Sequence, residues 1–294
     1  MKRFMTAVAT VTTLWLVQSC SLSPNAEEQL TATAIEQHND EHAVNAGSHN
    51  THSADSAGNE TIDEFAQAKL TVPNTIAFNT LTPLTINIQD ATGEAIKDFE
   101  TFQDMQMHLI LVSDDLQVFS HLHPTYQENG RFTVETRFPQ SGGYTLFSDY
   151  KPAGQAEQVS VMKVQVPGNR PLTPPANLSR TKTVANTKVD FNVSQETIKA
   201  GEEVTLTFDL QDAATNQPVT NLQPYLGEGG HLVILQQSSS LTKEDYVHAH
   251  AMDGTSPGQV QFITRFPRAG MYKLWGQFNR NGEVITSDFW VEVS

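Results

Sequence analysis

An internal repeat is the feature that most constrains the fold of this chain. Short motifs from the first half return in the second half at a constant offset, and 294 residues fit two domains of about 150 residues each. The matched motifs are Arg-Phe-Pro at 137–139 and 265–267, Gly-x-Tyr at 142–144 and 270–272, a leucine–aromatic pair at 146–147 and 274–275, and a glycine at 154 and 282. The repeat predicts two copies of one domain.

Each copy consists of short alternating runs separated by turn residues, without a helical period. This pattern predicts an all-β chain of two tandem immunoglobulin-like β-sandwich domains, at 71–167 and 188–294, joined by a Pro-rich linker at 168–187. The predicted strands are 76–78, 84–88, 107–112, 117–123, 131–138, 144–150 and 159–166, then 189–193, 204–210, 231–236, 246–250, 260–266, 272–278 and 285–293.

The repeated Gly-x-Tyr motif predicts a structural role for Tyr144 and Tyr272. A tyrosine that enters the sixth strand of an immunoglobulin-like sandwich often ties that strand to a neighbouring loop through its hydroxyl. We therefore expect a tyrosine corner in each copy.

Residues 1–20 are typical of a bacterial lipoprotein signal peptide. Lys2 and Arg3 precede an apolar stretch, which ends at Cys20, the only cysteine in the chain. This arrangement predicts lipidation at Cys20 and attachment to the membrane of the bacterial cell envelope, on its periplasmic or extracellular side. The alternative is an ordinary cleaved signal with an incidental cysteine. No later stretch approaches the roughly 18 apolar residues of a membrane span.

Residues 21–70 predict a disordered, acidic tether. They contain nine acidic residues and one basic residue, and residues 21–64 contain no aromatic residue, so this segment cannot build a core. Four histidines lie in it: His38, His42, His49 and His52. They are either polar filler or a tract that captures metal weakly. The net charge of −15 argues against a nucleic-acid partner.

Residues 107–124 predict a β-hairpin with three histidines on one face. An apolar run, a Ser-Asp-Asp turn and an alternating return strand follow one another. A two-residue loop sets His108 opposite His121, and His123 shares their face because side chains alternate along a strand. Opposite Cβ atoms lie roughly 5 Å apart and diagonal ones roughly 7–8 Å. The three imidazoles form a candidate transition-metal site.

Residues 230–252 repeat this arrangement with a longer loop. Symmetric pairing across that loop sets His231 opposite His248, with His250 on the same face. Met252 continues that face and is a candidate soft ligand. All six histidines after residue 70 fall in the two hairpins. Each hairpin builds its own site, or the two hairpins meet across a domain interface.

These motifs resemble bacterial envelope proteins built from YtkA-like, immunoglobulin/cupredoxin-like domains. The motifs in question are Met107-His108-Leu109, His121-Leu122-His123-Pro124, Phe138-Pro139, Gly142-Gly143-Tyr144, Asp149-Tyr150, Gly230-His231-Leu232 and His248-Ala249-His250. The resemblance covers most of residues 71–294 and implies a non-catalytic metal-binding or accessory role for the six histidines. Ala251 replaces the proline that follows His123 in the first copy, a departure from the pattern.

Three imidazoles suit Cu(II) or Zn(II), and the Irving–Williams order favours copper. No cysteine other than Cys20 is present for a thiolate copper site, and no catalytic motif for hydrolysis or phosphate binding occurs. Asp149 is a candidate extra carboxylate. The first hypothesis is thus an envelope lipoprotein that buffers, senses or delivers copper or zinc, with a metal-transport or acceptor protein as partner. The alternative is a tandem immunoglobulin-like adhesion or scaffold module whose histidines are structural.

Overall fold

The computed structural model describes residues 65–252 and 255–294. The predicted signal peptide with Cys20, and the tether as far as residue 64 with its four histidines, lie outside the described residues. The described part of the chain is nearly all β, with a single turn of 3-10 helix, η1, at Lys243–Asp245. Within that part, no helix is long and apolar enough to cross a membrane. The predicted all-β fold class is confirmed.

The first domain is a sandwich of two antiparallel sheets. One sheet has the order β1-β2-β7-β6, and the other has the order β3-β8-β4-β5 with β9 also paired to β8. The strands are β1 (Ala66–Thr71), β2 (Thr82–Asp90), β3 (Phe99–Glu100), β4 (Met107–Ser113), β5 (Phe119–Leu122), β6 (Thr125–Tyr126), β7 (Arg131–Thr136), β8 (Gly142–Pro152) and β9 (Gln158–Val166).

The second domain repeats this plan. Its sheets have the orders β10-β11-β12-β17-β16 and β13-β18-β14-β15, with β19 also paired to β18. The strands are β10 (Thr181–Val184), β11 (Thr187–Val193), β12 (Glu203–Asp212), β13 (Leu222–Gln223), β14 (His231–Gln236), β15 (Tyr246–Val247), β16 (Ala249–Ala251), β17 (Gln259–Arg265), β18 (Gly270–Arg280) and β19 (Glu283–Val293).

The edges of the domains differ from the predicted boundaries. β1 begins at Ala66, inside the predicted tether, because small apolar residues alternate there and face the core. β10 begins at Thr181, inside the predicted linker, as a polar edge strand paired to β11. The predicted strand at 76–78 is absent from the described residues, and turns and irregular backbone occupy 72–81.

The predicted tyrosine corners are confirmed in both domains. The hydroxyl of Tyr144 donates to the carbonyl oxygen of Gln140 at 2.9 Å, and the hydroxyl of Tyr272 donates to that of Arg268 at 2.8 Å. Each hydroxyl also accepts the backbone N–H of the same loop residue. Each long strand, β8 or β18, is thereby tied to the loop that precedes it.

A third apolar cluster joins the two sandwiches, in addition to the core inside each of them. We call it the interdomain seam. It contains Ile110, Val112, Leu116, Phe147 and Val159 from the first domain and Val233, Leu235, Leu241, Trp275 and Trp290 from the second. The described residues, 65–252 and 255–294, accordingly belong to one compact unit.

The seam explains why every residue of β4 is buried. Met107 and Leu109 point into the core of the first sandwich, whereas Ile110 and Val112 point into the seam. Because side chains alternate, His108 shares the seam face of the strand with Ile110.

The contacts across the seam are reciprocal. Phe119 of the first domain stacks on Trp275 of the second at a centroid distance of 4.8 Å, and Tyr246 of the second stacks on Phe147 of the first at 5.4 Å. Phe119 and Tyr246 occupy corresponding strands, as do Phe147 and Trp275. The two copies therefore use equivalent faces, as the subunits of a two-fold dimer do.

Two lysines, the buried Lys273 and the exposed Lys163, add polar contacts to the seam. The ammonium of Lys273 donates to the carbonyl oxygen of Leu116 at 2.7 Å and pairs with Asp288 at 3.1 Å. The ammonium of Lys163 donates to the carbonyl oxygen of Leu241 at 2.7 Å. Each lysine thus reaches from one domain to a hairpin loop of the other and fixes their relative position.

Candidate metal centre

The first hairpin forms as predicted, but with a register shifted by two residues. Ile110 lies opposite His121, so His108 falls in register with His123 instead of His121. The turn is longer than predicted because the N–H of Ser113 donates to the carbonyl oxygen of Val118, and Leu116 adopts a left-handed conformation with φ of 58°. A shift of two preserves the face of every side chain. The three histidines consequently still point the same way.

Four imidazoles meet at the seam, and the fourth belongs to the other domain. The ring centroid of His121 lies 5.2 Å from that of His108, 4.7 Å from that of His123 and 4.7 Å from that of His231. The rings of His108 and His231 are stacked at 5.9 Å. One ring nitrogen each of His108, His121 and His123 lies within 4.8 Å of the other two. We call these residues the four-histidine cluster.

The second three-histidine site is not built, which corrects the sequence-based prediction. The return strand is divided: Tyr246 and Val247 pair with β14, whereas Ala249 to Ala251 pair with β17 in the opposite sheet. His248 lies at this change of sheet, and His250 is exposed on β16. The exposed Met252 follows on the β17 side. Backbone hydrogen bonds to β17 thus carry His250 and Met252 away from His231.

Backbone and amide oxygens set the tautomers of two rings in the four-histidine cluster. The Nε2–H of His108 donates to the carbonyl oxygen of Phe102 at 3.2 Å. The Nδ1–H of His121 donates to Oε1 of Gln277 at 2.8 Å, and that amide is oriented by its own bond to Thr286. The remaining nitrogens, Nδ1 of His108 and Nε2 of His121, face each other at 3.1 Å. In neutral rings both carry lone pairs, so no proton lies between them.

The other two rings present free nitrogens. Nε2 of His123 and Nε2 of His231 are buried, and neither has a hydrogen-bond partner among the described residues. A buried polar atom without a partner costs roughly 1–3 kcal/mol, which marks these positions as candidates for a ligand. The cluster therefore contains two buried nitrogens without a partner in addition to the facing pair of His108 and His121.

Burial keeps the cluster neutral. Desolvation lowers the pKa of His108 to about 4 and that of His231 to about 3. The pKa of His121 is also lowered strongly by burial and by the neighbouring His231, and that of His123 is lowered by burial. Neutral imidazole is the form that binds metal, so protons do not compete for these nitrogens near pH 7.

These pKa values predict that the metal-free protein loses stability in mild acid. Unfolded histidines titrate near ~6.5, so the unfolded chain binds more protons than the folded chain below that pH. The free energy of unfolding is greatest above about pH 6.5 and falls toward about pH 4, by up to about 1.4 kcal/mol per pH unit for the buried His108 and by less for each of the three partly exposed histidines. Urea unfolding of metal-free protein at about pH 7.5 and about pH 5.5 measures this loss.

His231→Gln should flatten this pH dependence because it removes one of the imidazoles whose pKa is lowered. The control is Gln155→Leu, which changes an exposed side chain without a titrating group and should retain the slope of the parent. Equal stability of the parent at both pH values would contradict the burial of the four-histidine cluster.

A second group of ligand-type side chains lies beside the cluster, across the same seam. Asp149 faces His108 in the β4–β8 register, and one ligand atom each of Asp149, Glu157 and His248 lies within 4.8 Å of the others. Burial raises the pKa of Asp149 well above its ordinary value, and the carboxylate of Glu157 adds to this effect. This group combines two carboxyls of the first domain with an imidazole of the second.

The sequence pattern identified the face of the first hairpin but missed the contribution of the second domain. His231 was assigned to its own hairpin, and Gln277 and Glu157 were not singled out. One signal was present: β4 and β14 each contain a continuous apolar run, at 109–112 and 232–235, which is typical of strands buried on both faces. Nothing in the spacing indicated that Gln277 contacts His121.

The chain belongs to a domain family described as "Domain of unknown function (DUF8832)", which matches residues 60–168 and 182–294. The match confirms two repeated domains, whereas the YtkA-like, metal-associated resemblance stays a prediction. Comparison with curated proteins found no match.

Solved structures with similar folds are distant. The Escherichia coli adhesin FdeC is 16% identical, with a TM-score of 0.26 over 78% of this chain and 64% of that one. Invasin, a bacterial integrin-binding protein, is 10% identical, with a TM-score of 0.22 over 76% and 39%. Domains 4 and 5 of the S-layer protein SbsC are 12% identical, with a TM-score of 0.21 over 77% and 97%. This chain spans less than two thirds of the adhesin and of invasin.

Proposed function

We propose that this protein is a non-catalytic, rigid tandem immunoglobulin-like module that binds one transition-metal ion between its two domains. The ligands are His108, His121 and His123 of the first domain and His231 of the second. The site serves to buffer, sense or deliver the metal. The tandem sandwich supplies the scaffold, and the four-histidine cluster supplies the chemistry.

The contact that carries this proposal joins Nδ1 of His108 and Nε2 of His121 at 3.1 Å, and both atoms bear lone pairs in the neutral tautomers that Phe102 and Gln277 favour. Two lone pairs at that distance repel unless a cation lies near both. Two nitrogens bound to one ion at ~2.0–2.1 Å are about 2.9 Å apart at a right angle and about 3.3 Å apart at a tetrahedral angle. The observed separation lies between these values, as expected for two ligands of one metal.

The hydrogen bonds that His108 and His121 make on the far side of their rings also support a metal site. Histidines that bind metal usually donate their other ring N–H to a carbonyl or carboxylate oxygen, which fixes the tautomer and aims the lone pair. His108 makes such a bond to Phe102, and His121 makes one to Gln277. A structural polar cluster would instead place a donor opposite each acceptor, and His123 and His231 lack that pairing at Nε2.

Four imidazoles without a thiolate suit Cu(II) or Zn(II). Raw affinity favours Cu(II) in the Irving–Williams order, so copper is the proposed metal and zinc the alternative. The proposal includes the predicted lipid anchor at Cys20, which would hold the protein at the bacterial cell envelope, where a metal-transport or acceptor protein would be the partner.

A second candidate function is a tandem immunoglobulin-like adhesion or scaffold module with structural histidines. The interdomain seam favours it, because the stacked pair Phe119–Trp275 and the buried Lys273 make the two domains a stiff unit whether or not metal is bound. The names of the similar structures accord with this candidate, and none of them refers to a metal.

A substitution at Gln277 distinguishes the metal-binding function from the scaffold function. Gln277→Leu removes the oxygen that orients His121, and we expect it to weaken Cu(II) binding about 10–100-fold while all four histidines remain. Calorimetric titration of the purified full chain with Cu(II) and Zn(II) measures the affinity.

The matched control is Gln155→Leu, the same change at an exposed position between β8 and β9. It should bind Cu(II) as the parent does. If the parent binds neither ion tightly, the histidines are structural and the scaffold function stands. Far-UV circular dichroism checks that both variants keep the β fold.

A further inference from the structure

We propose that Asp149, Glu157 and His248 form a second divalent-cation site across the interdomain seam, separate from the four-histidine cluster. The expected ligand is a borderline ion such as Zn(II), because two carboxylates and one imidazole are a donor set that zinc accepts. This site shares no residue with the four-histidine cluster and does not depend on it.

Three elements bring the ligands together. Asp149 lies in β8, Glu157 precedes β9, and His248 lies where the second domain's return strand changes sheet. Nδ1 of His248 is 3.8 Å from Oε1 of Glu157, and a ligand atom of Asp149 lies within 4.8 Å of both partners. His248 therefore lies beside these carboxyls because the return strand changes sheet there, which also removes it from the predicted second cluster.

The buried carboxyl is the observation that points to a ligand. The side chain of Asp149 is 5% exposed, and its Oδ1 is buried without a hydrogen-bond partner among the described residues. The carboxyl shares a hydrogen bond with the side chain of Glu157, yet Oδ1 is left over, and a buried polar atom without a partner is costly unless a ligand pairs with it. Glu157 and His248 are exposed, so an ion has a route from solvent to Asp149.

The equivalent position in the other half of the seam shows how the two halves differ. Asp149 faces His108 in its register, and Gln277 faces His231 in the same way, so these two residues correspond. Gln277 accepts an imidazole N–H from His121, as a neutral amide can. A carboxyl at the corresponding place, joined by Glu157, supplies negative charge that an amide lacks. The two halves of the seam thus suit different ions.

Lys243 is the opposing charge at this site. Its positive charge opposes the rise in the pKa of Asp149 and adds to the fall in the pKa of His248. A divalent cation must bind against this charge, so Lys243→Gln should tighten Zn(II) binding at the second site.

Zn(II) titration of full-length variants tests the site. Glu157→Gln and His248→Ala should each lose the same single equivalent of Zn(II), or weaken it at least tenfold, and Glu157→Gln combined with His248→Ala should lose no more. The matched control is His250→Ala, an exposed histidine two positions along the chain, which should bind as the parent does. The histidines at 38–52 are present in every variant, so differences between variants report the seam.

The test distinguishes this site from the four-histidine cluster. His121→Ala should remove a different equivalent, and adding Glu157→Gln to it should remove both. If Glu157→Gln and His248→Ala both bind as many equivalents of Zn(II) as the parent, the second site is overturned. It is also overturned if His250→Ala loses the same equivalent of Zn(II) as they do. If only His121→Ala binds as many equivalents of Zn(II) as the parent, the proposed function is overturned and the second site stands.

Discussion

Replacement of His231 by alanine is expected to abolish tight Cu(II) binding, although His231 belongs to the second repeat. Its ring stacks on His108 at 5.9 Å and lies 4.7 Å from His121, so the proposed ion would draw ligands from both domains. Loss of a direct ligand should exceed the 10–100-fold loss typical of an outer contact, so we expect at least about a hundredfold weaker binding. Competition titration with a chelator of known affinity measures the change.

His121→Ala should give the same loss, because both residues belong to one site. His250→Ala is the control, since His250 is exposed on β16. Full Cu(II) affinity in His231→Ala, together with loss in His121→Ala, would show that the first hairpin binds metal alone. Such a result would contradict the shared site.

Trp275→Ala should be the most destabilising single truncation in the seam. The indole is 3% exposed and stacks on Phe119, so its removal leaves a cavity between the domains. Truncation of a buried tryptophan typically costs about 3–5 kcal/mol in the free energy of unfolding. Because each sandwich retains its own core, we expect this loss to uncouple the domains and to divide one unfolding transition into two.

Differential scanning calorimetry and urea unfolding of the full chain measure this effect. Phe78→Ala provides the control, since that ring is 58% exposed and its removal should change stability by less than about 0.5 kcal/mol. A loss below about 1 kcal/mol in Trp275→Ala would show that the seam does not hold the domains together. Metal affinity should also fall in Trp275→Ala, because His231 reaches the other histidines only across a closed seam.

The fold class and the first half of the site follow from local periodicity. Alternating runs with turn residues predict strands, and the repeated Arg-Phe-Pro and Gly-x-Tyr motifs predict two copies of one sandwich. The grouping of His108, His121 and His123 also follows, because a period of two places them on one face whether the turn has two residues or four. That prediction survived an error in register for this reason.

The partners of those histidines were decided by tertiary packing. His231 joins the cluster because the two sandwiches bury equivalent apolar faces against each other, and His250 is excluded because β16 forms its backbone hydrogen bonds with β17 in the opposite sheet. Both outcomes depend on contacts between residues far apart in the chain, which local spacing does not encode. Sequence periodicity therefore determines which side of a strand a histidine occupies, whereas the packing of whole sheets determines which other side chains it meets there.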